Sequence, residues 1–297
     1  MKKHSHVKQA IYRQPWMMTE DGLDLICSIA ERHACGIDSP EFIASMEKIE
    51  REAHTEFLER DKTFQSRLVS DGWGGAVDKK FYDNVNGVAV LRLLGPIFPR
   101  ANLMTRMSGA TALETWSKDF DEALQDEDVH ALIICCDSPG GSVTGGFEMA
   151  SKIFDSRDNG KPIVTLAEGV CASLAYLIGS QANQIYCTEA SVVGSIGVVM
   201  AIEDDTRQSE NEGVKRHVLK TGKNKAIGAG PVTDDQIAEL KSMMMDFFGR
   251  FKDAISRARS VDIEKVSDGS LYIGKKAVDN GLVDGITTLD ALIAEMQ

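Results

Sequence analysis

The 297-residue chain is informative first for what it lacks. No CxxC pair occurs among its cysteines (Cys27, Cys35, Cys135, Cys136, Cys171 and Cys187), so zinc-ribbon and thioredoxin-like readings have no support. Residues 1–20 carry early cations but no apolar core, so no secretory signal is expected. Nowhere does an apolar run approach the roughly 18 residues that a membrane span needs. Basic residues number 33 against 45 acidic ones, for a net charge of -12. Nucleic-acid binders usually present a basic face, so no nucleic-acid partner is expected. The cations between Lys215 and Lys225 read as a solvated strand edge. Free cysteines without a pairing pattern point to a reducing compartment, and the expected location is cytoplasmic.

Familiar catalytic signatures are missing too. There is no GxSxG elbow, no GxxxxGK[ST] phosphate loop and no HExxH helix, so no cofactor and no metal are expected. His4, His6, His33, His54, His130 and His217 show no triad placement, and His217 reads as structural on a strand. Ser45 and Lys48 match a bare SxxK pattern, but they lie on a charged helix without companion motifs. No solenoid repeat is visible.

What is present divides in two. Residues 1–80 read as a helical N-terminal extension and linker, and residues 81–297 as the main domain. Asp24–Arg32 and Glu41–Arg60 have amphipathic helical spacing, suited to a cap or assembly arm, and Thr63–Lys80 reads as a linker. Beyond Asn86, short apolar runs alternate with helical patterns. Strands are expected at Val88–Leu94, Ala131–Cys136, Ile163–Ala167, Ile185–Cys187, Gly197–Ile202 and Lys215–Leu219. Helices are expected at Ala110–Gln125, Gly145–Ser156, Ser173–Gln181, Thr206–Gly213 and Thr233–Arg259, the last opened by a threonine cap. Such alternation implies an α/β domain with a largely parallel sheet.

Three segments could carry chemistry. Asp137-Ser138-Pro139-Gly140-Gly141-Ser142-Val143 follows a buried strand, and its glycines could turn backbone N–H groups toward a carbonyl or an oxyanion. The run from Gly169 to Ser180 places Ser173 at the start of a small-residue helix. Leu219 to Gly228 is a Gly-rich loop with Lys220, Lys223 and Lys225. Taken singly, these read as a strand-to-helix turn, a helix cap and surface charge.

In order, with Val193-Gly194-Ser195-Ile196-Gly197 between the second and third, they resemble the signal peptide peptidase A family of serine–lysine peptidases. The tail from Asp268 to Asp284 is similar to that family's closing segment, and the prohead proteases of the phage lambda C type resemble the chain throughout Asn86–Thr288. The resemblance implies a Clp/crotonase-like fold, a repeated ββα spiral, behind the helical extension. It implies Ser173 as nucleophile and Lys225 as general base, with Lys223 as the fallback. It also implies Ser195 as the residue orienting the lysine, and an oxyanion hole at Gly140, Gly141 and the N–H of Leu174. Relatives often have glycine where this chain has Leu174, whose bulk is expected to narrow the neighbouring pocket. Expected partners are capsid, portal or scaffold proteins as substrates, and further copies of the chain in a ring. Two other readings stay open: a crotonase-like acyl-CoA enzyme, and a non-catalytic assembly protein.

A lysine base is chemically workable. Bringing an amine from about 10.4 to about 7 costs roughly 4 to 5 kcal/mol, which burial in an apolar site can impose. Neutral lysine could then take the serine proton and return it to the leaving amine.

Overall fold

The computed structural model describes residues 15–34, 82–101 and 109–297, apart from positions 203, 205, 216, 223, 224, 226, 228 and 229. The helix expected at Glu41–Arg60, the linker Thr63–Lys80 and the fallback Lys223 lie outside the described residues.

The described chain opens with β1 (Trp16–Met18) and α1 (Glu20–Ala34), then β2 (Asp83–Val85), β3 (Val88–Leu94), β4 (Ile97–Phe98) and β5 (Thr111–Ala112). Next come α2 (Leu113–Gln125), β6 (Ala131–Ser138), β7 (Gly140–Ser142), α3 (Gly146–Asp155), β8 (Ile163–Ala172) and α4 (Leu174–Gly179). After β9 (Gln184–Cys187) and β10 (Val192–Gly194) follow α5 (Thr206–Asn211), α6 (Asp234–Ala258) and α7 (Ile263–Val266). The chain closes with β11 (Leu271–Ile273), α8 (Lys275–Asp279), β12 (Gly285–Ile286) and α9 (Leu289–Met296).

The larger sheet has the order β11-β10-β8-β6-β3-β2. Its interior pairs are parallel: Val88–Leu94 runs beside Ala131–Asp137, and Leu132–Cys136 beside Ile163–Ala167. Only the edges β2 and β11 are antiparallel. This is the α/β class with a largely parallel sheet that alternation implied. Strand β6 explains the central position: Ala131 to Cys136 are all buried, as a strand covered on both faces requires. One face packs against Trp116 and Phe120 of α2, Ile153 of α3 and Phe251 and Ile255 of α6. The other packs against Leu292 of α9. Thr233 and Gln236 cap α6 reciprocally, as its sequence suggested.

Two devices bring the site together. The first is in β8, which splits its pairing. Its first half lies beside β9, and its last three residues lie beside β10. Between the halves its register against β6 shifts, so that Ser138 faces Cys171. The Asp137 carboxylate accepts the Val170 N–H at 2.8 Å and fixes this bulge. The second is β7, which joins a small sheet of order β1-β7-β4-β5.

Two expected strands do not form. Gly197–Ile202 contributes a single bridge, Val199 to Trp16, and the described residues of Lys215–Leu219 have no ladder. The apolar positions of the second segment face solvent, Leu219 at 97% exposure, and without a neighbouring strand the pattern cannot hold itself in a ladder. His217 is exposed there rather than sitting on a strand. Among the described residues, no helix is long and apolar enough to cross a membrane.

Candidate active site

Ser173 stands between β8 and α4, outside the helix that the small-residue pattern began with it. Its backbone has φ 53° and ψ −116°. Left-handed backbone is costly for a residue with a side chain, and strain of this kind concentrates where a reactive group must be aimed. Among the described residues only Asn86, Ser173 and Ser195 are non-glycine positions with positive φ. Asn86 is explained by the Asn-Gly turn between β2 and β3. The other two are the serines singled out from sequence.

The surroundings hold Ser173 in that shape. Its N–H donates to Gly194 O at 2.8 Å, and the Ser195 N–H donates to Ser270 O at 2.7 Å. The Ser173 hydroxyl reaches Gly197 O at 3.5 Å, the outer limit of a hydrogen bond. Helix α4 behind it is wholly buried, and the Tyr176 hydroxyl donates to Leu282 O at 2.8 Å. Burial pushes the Tyr176 hydroxyl well above the usual phenol range, so it stays protonated. Gln181 just beyond the helix donates to Ala254 O at 3.2 Å and accepts from Arg257.

Gly140 and Gly141 form the start of β7, and each is a glycine for a steric reason. A Cβ on Gly140 would lie 2.1 Å from Met17 O, at φ 103°. On Gly141 it would lie 2.0 Å from Ile97 O. Backbone passes so closely on both edges that no side chain fits. The Gly140 N–H is turned to Ser138 Oγ at 3.2 Å in this state. Leu174 does not extend toward open space: it is fully buried, and its Cδ1 fills the room that Gly146 leaves by having no Cβ.

The structure therefore gathers Gly140, Gly141, Ser173, Leu174 and Ser195 around one strand-to-helix junction. Lys225 is not joined to them. It is exposed, its N–H bonds Gly222 O at 3.1 Å, and no hydrogen bond links it to Ser173 or Ser195. Beside Ser195 opens an apolar cavity of about 520 Å³, whose lining includes Met18, Ile196, Val199, Met244 and Phe248. Asp268 at its rim accepts the Ser270 N–H at 3.0 Å, and the Ser270 bonds hold its carboxyl below the usual range.

The cysteines offer no competing nucleophile in the sheet. A bond to Cys171, and then burial, raise the Cys136 thiol well above its ordinary range, and burial raises Cys135. Among the described residues no group of three His, Cys, Asp or Glu side chains could hold a metal. Sequence reading missed Asp137 as the anchor of the bulge and β1 as a neighbour of Gly140. Neither carries a periodic signal.

Fold and site together define an α/β protein with a strained serine at a strand-to-helix junction, beside a glycine-edged strand. The chain matches the model of Peptidase family S49 over residues 155–297. It is 29% identical over 227 residues to the capsid assembly protease C of Escherichia phage lambda, covering 75% of this chain and 52% of that protein. It is 27% identical over 229 residues to the head-tail preconnector protein GP5 of Enterobacteria phage P21, covering 75% and 45%. The chain thus spans about half the length of these relatives. Among solved structures, a membrane-bound stomatin-specific protease with a substrate peptide aligns at TM-score 0.41 and 14% identity, over 70% of this chain and 79% of that one.

Proposed function

We propose that the chain is a serine endopeptidase in which Ser173 attacks the scissile carbonyl and Lys225 takes its proton. The observation that carries this reading is the strained backbone of Ser173, aimed from the end of β8 next to the glycine edge of β7. In the proposed reaction the Ser173 Oγ–C bond forms as the hydroxyl proton passes to Lys225 Nζ. The N–H groups of Gly140 and Leu174 hold the oxyanion, Gly140 exchanging its bond to Ser138 for one to the substrate. The amine leaves with the proton from Lys225, and water then hydrolyses the acyl-serine. Ser195 orients the lysine amine, and the apolar cavity beside it accepts an apolar substrate side chain.

This reading makes a demand on Lys225. A charged amine cannot act as a base, and removal from water is what favours its neutral form. The loop bearing Lys225 must fold over the Ser173–Ser195 junction and lose water, within the subunit or against a neighbouring copy in a ring.

The name of one phage relative, a capsid assembly protease, supports capsid proteins as substrates, and scaffold proteins are proposed beside them, processed in the host cytoplasm or inside an assembling head. Residues 81–297 are proposed as the catalytic domain and residues 1–80 as its appendage. The test is co-expression with the neighbouring structural proteins, followed by mass spectrometry of new termini. Cleavage is expected with the native chain and absent with Ser173→Ala; undiminished cleavage by Ser173→Ala overturns the assignment.

A further inference from the structure

Strand β1 occupies a place that its own sequence does not explain. It runs antiparallel to β7, with Trp16 opposite Ser142, Met17 opposite Gly141 and Met18 opposite Gly140. On its other side Trp16 is doubly bonded to Val199: the Trp16 N–H donates to Val199 O at 2.8 Å and the Val199 N–H to Trp16 O at 2.9 Å. Beyond Met18 the Thr19 N–H donates to Pro139 O at 3.0 Å, and the chain turns away into α1, with Thr19 Oγ1 accepting the Gly22 N–H. The segment is thus an extended peptide inserted between two backbone edges, one of them the strand that begins with Gly140.

Given the proposed reacting centre, on which this inference rests, space decides how a substrate can approach. A peptide whose carbonyl is to lie between the N–H of Gly140 and the hydroxyl of Ser173 must approach along an edge of β7. One edge is taken by β4, through Ile97 and Gly141. The other is the edge that β1 fills. Extended peptides are commonly bound by adding a strand to such an edge, with backbone bonds for affinity and pockets for alternate side chains. β1 has both: its backbone is bonded on each side, and Met18 borders the apolar cavity beside Ser195. Ser173 itself has no exposed surface, so no substrate reaches it until something moves.

We propose that Trp16–Met18 fills the slot between β7 and Val199 as an internal substitute for an extended peptide substrate. In this arrangement the chain is self-inhibited, and substrate must displace β1. Burial of Trp16, Met17 and Met18 makes the plug firm. The apolar side chains it presents are the type the slot selects.

The test is a reversible lock in the full chain, Trp16→Cys with Val199→Cys. These positions face each other in a hydrogen-bonded antiparallel pair, where Cα atoms lie about 5.5 Å apart, within the range a disulfide bridges. Formation of the bond itself reports that β1 is folded in place. Two readouts are taken, oxidised and reduced: binding of a fluorescent peptide with the sequence of residues 12–20, and cleavage of unfolded casein. The expected result is no peptide binding and at least tenfold slower cleavage when oxidised, both restored by dithiothreitol, while the native chain treated alike does not change. A second full-length variant, Met17→Asp, is expected to bind the peptide without any reductant. Equal peptide binding in the locked and released forms overturns the proposal, as does measurable cleavage that is equal in both forms. If peptide binding follows the lock while neither form cleaves, the slot stands and the peptidase reading falls.

Discussion

The two halves of the proposed dyad sit in opposite environments. Ser173 lies between the buried end of β8, at Cys171 and Ala172, and the wholly buried α4. Lys225 lies on a solvent-facing loop whose neighbours Val214, Val218 and Leu219 expose apolar surface. The difference teaches that the serine half is built by the core and comes with folding. For the proposed base to act, the lysine half must be completed by a rearrangement that removes water from an amine. A nucleophile can be positioned by local strain, whereas a lysine base exists only once its charge has become costly.

Substitutions can break this comparison. The largest effects should come from either half of the dyad: Ser173→Ala and Lys225→Ala should each reduce cleavage by about 10⁴-fold or more, measured as turnover of a structural-protein substrate. The two should differ in stability, however. Lys225→Ala should leave the thermal midpoint nearly unchanged, because surface changes usually stay within about 0.5 kcal/mol. Leu174→Ala should instead cost about 2 to 5 kcal/mol in urea unfolding, since it empties a closed core position against Gly146. Gly140→Ala should cost about 1 to 3 kcal/mol from its positive φ alone, plus the displacement of Met17 that its Cβ forces. Lys223→Ala should leave cleavage within about twofold, because the proposed proton transfer gives that lysine no role. The smallest effect sharpens the picture of the core: Cys135 and Cys136 should resist alkylation at pH 8 in the folded protein, as mass spectrometry would show, because burial for Cys135, and a bond to Cys171 together with burial for Cys136, favour the protonated thiols.

Much of the scaffold was legible because buried strands and amphipathic helices write themselves in periodic patterns. Val88–Leu94 has the bounds its β-branched and leucine run suggests, and Thr233 marks the start of α6. The failures have a common cause. Gly140–Ser142 reads as a turn because glycine is poor in strands, yet it is a strand here because backbone crowds it on both sides. Trp16–Met18 is too short for any period to show and is defined only by the edge it pairs with. Gly197–Ile202 and Lys215–Leu219 carry strand-like composition, but strands need partners, and composition does not supply them. Within the site, motif order singled out Ser173 and Ser195, but not the positive φ they share. That strain arises from tertiary bonds to Gly194 and Ser270. The anchoring of the bulge by Asp137 is equally silent, because it depends on a register shift between strands distant in sequence.

The most direct measurement is the pH profile of kcat/KM for a defined peptide substrate, for the native chain and for Lys225→Arg. A base that must lose its proton gives activity that rises with pH, and the proposed dyad predicts such a rise in the native chain and its disappearance with arginine at 225. A profile flat from about pH 5 to 9, or the same rise surviving in Lys225→Arg, would contradict it.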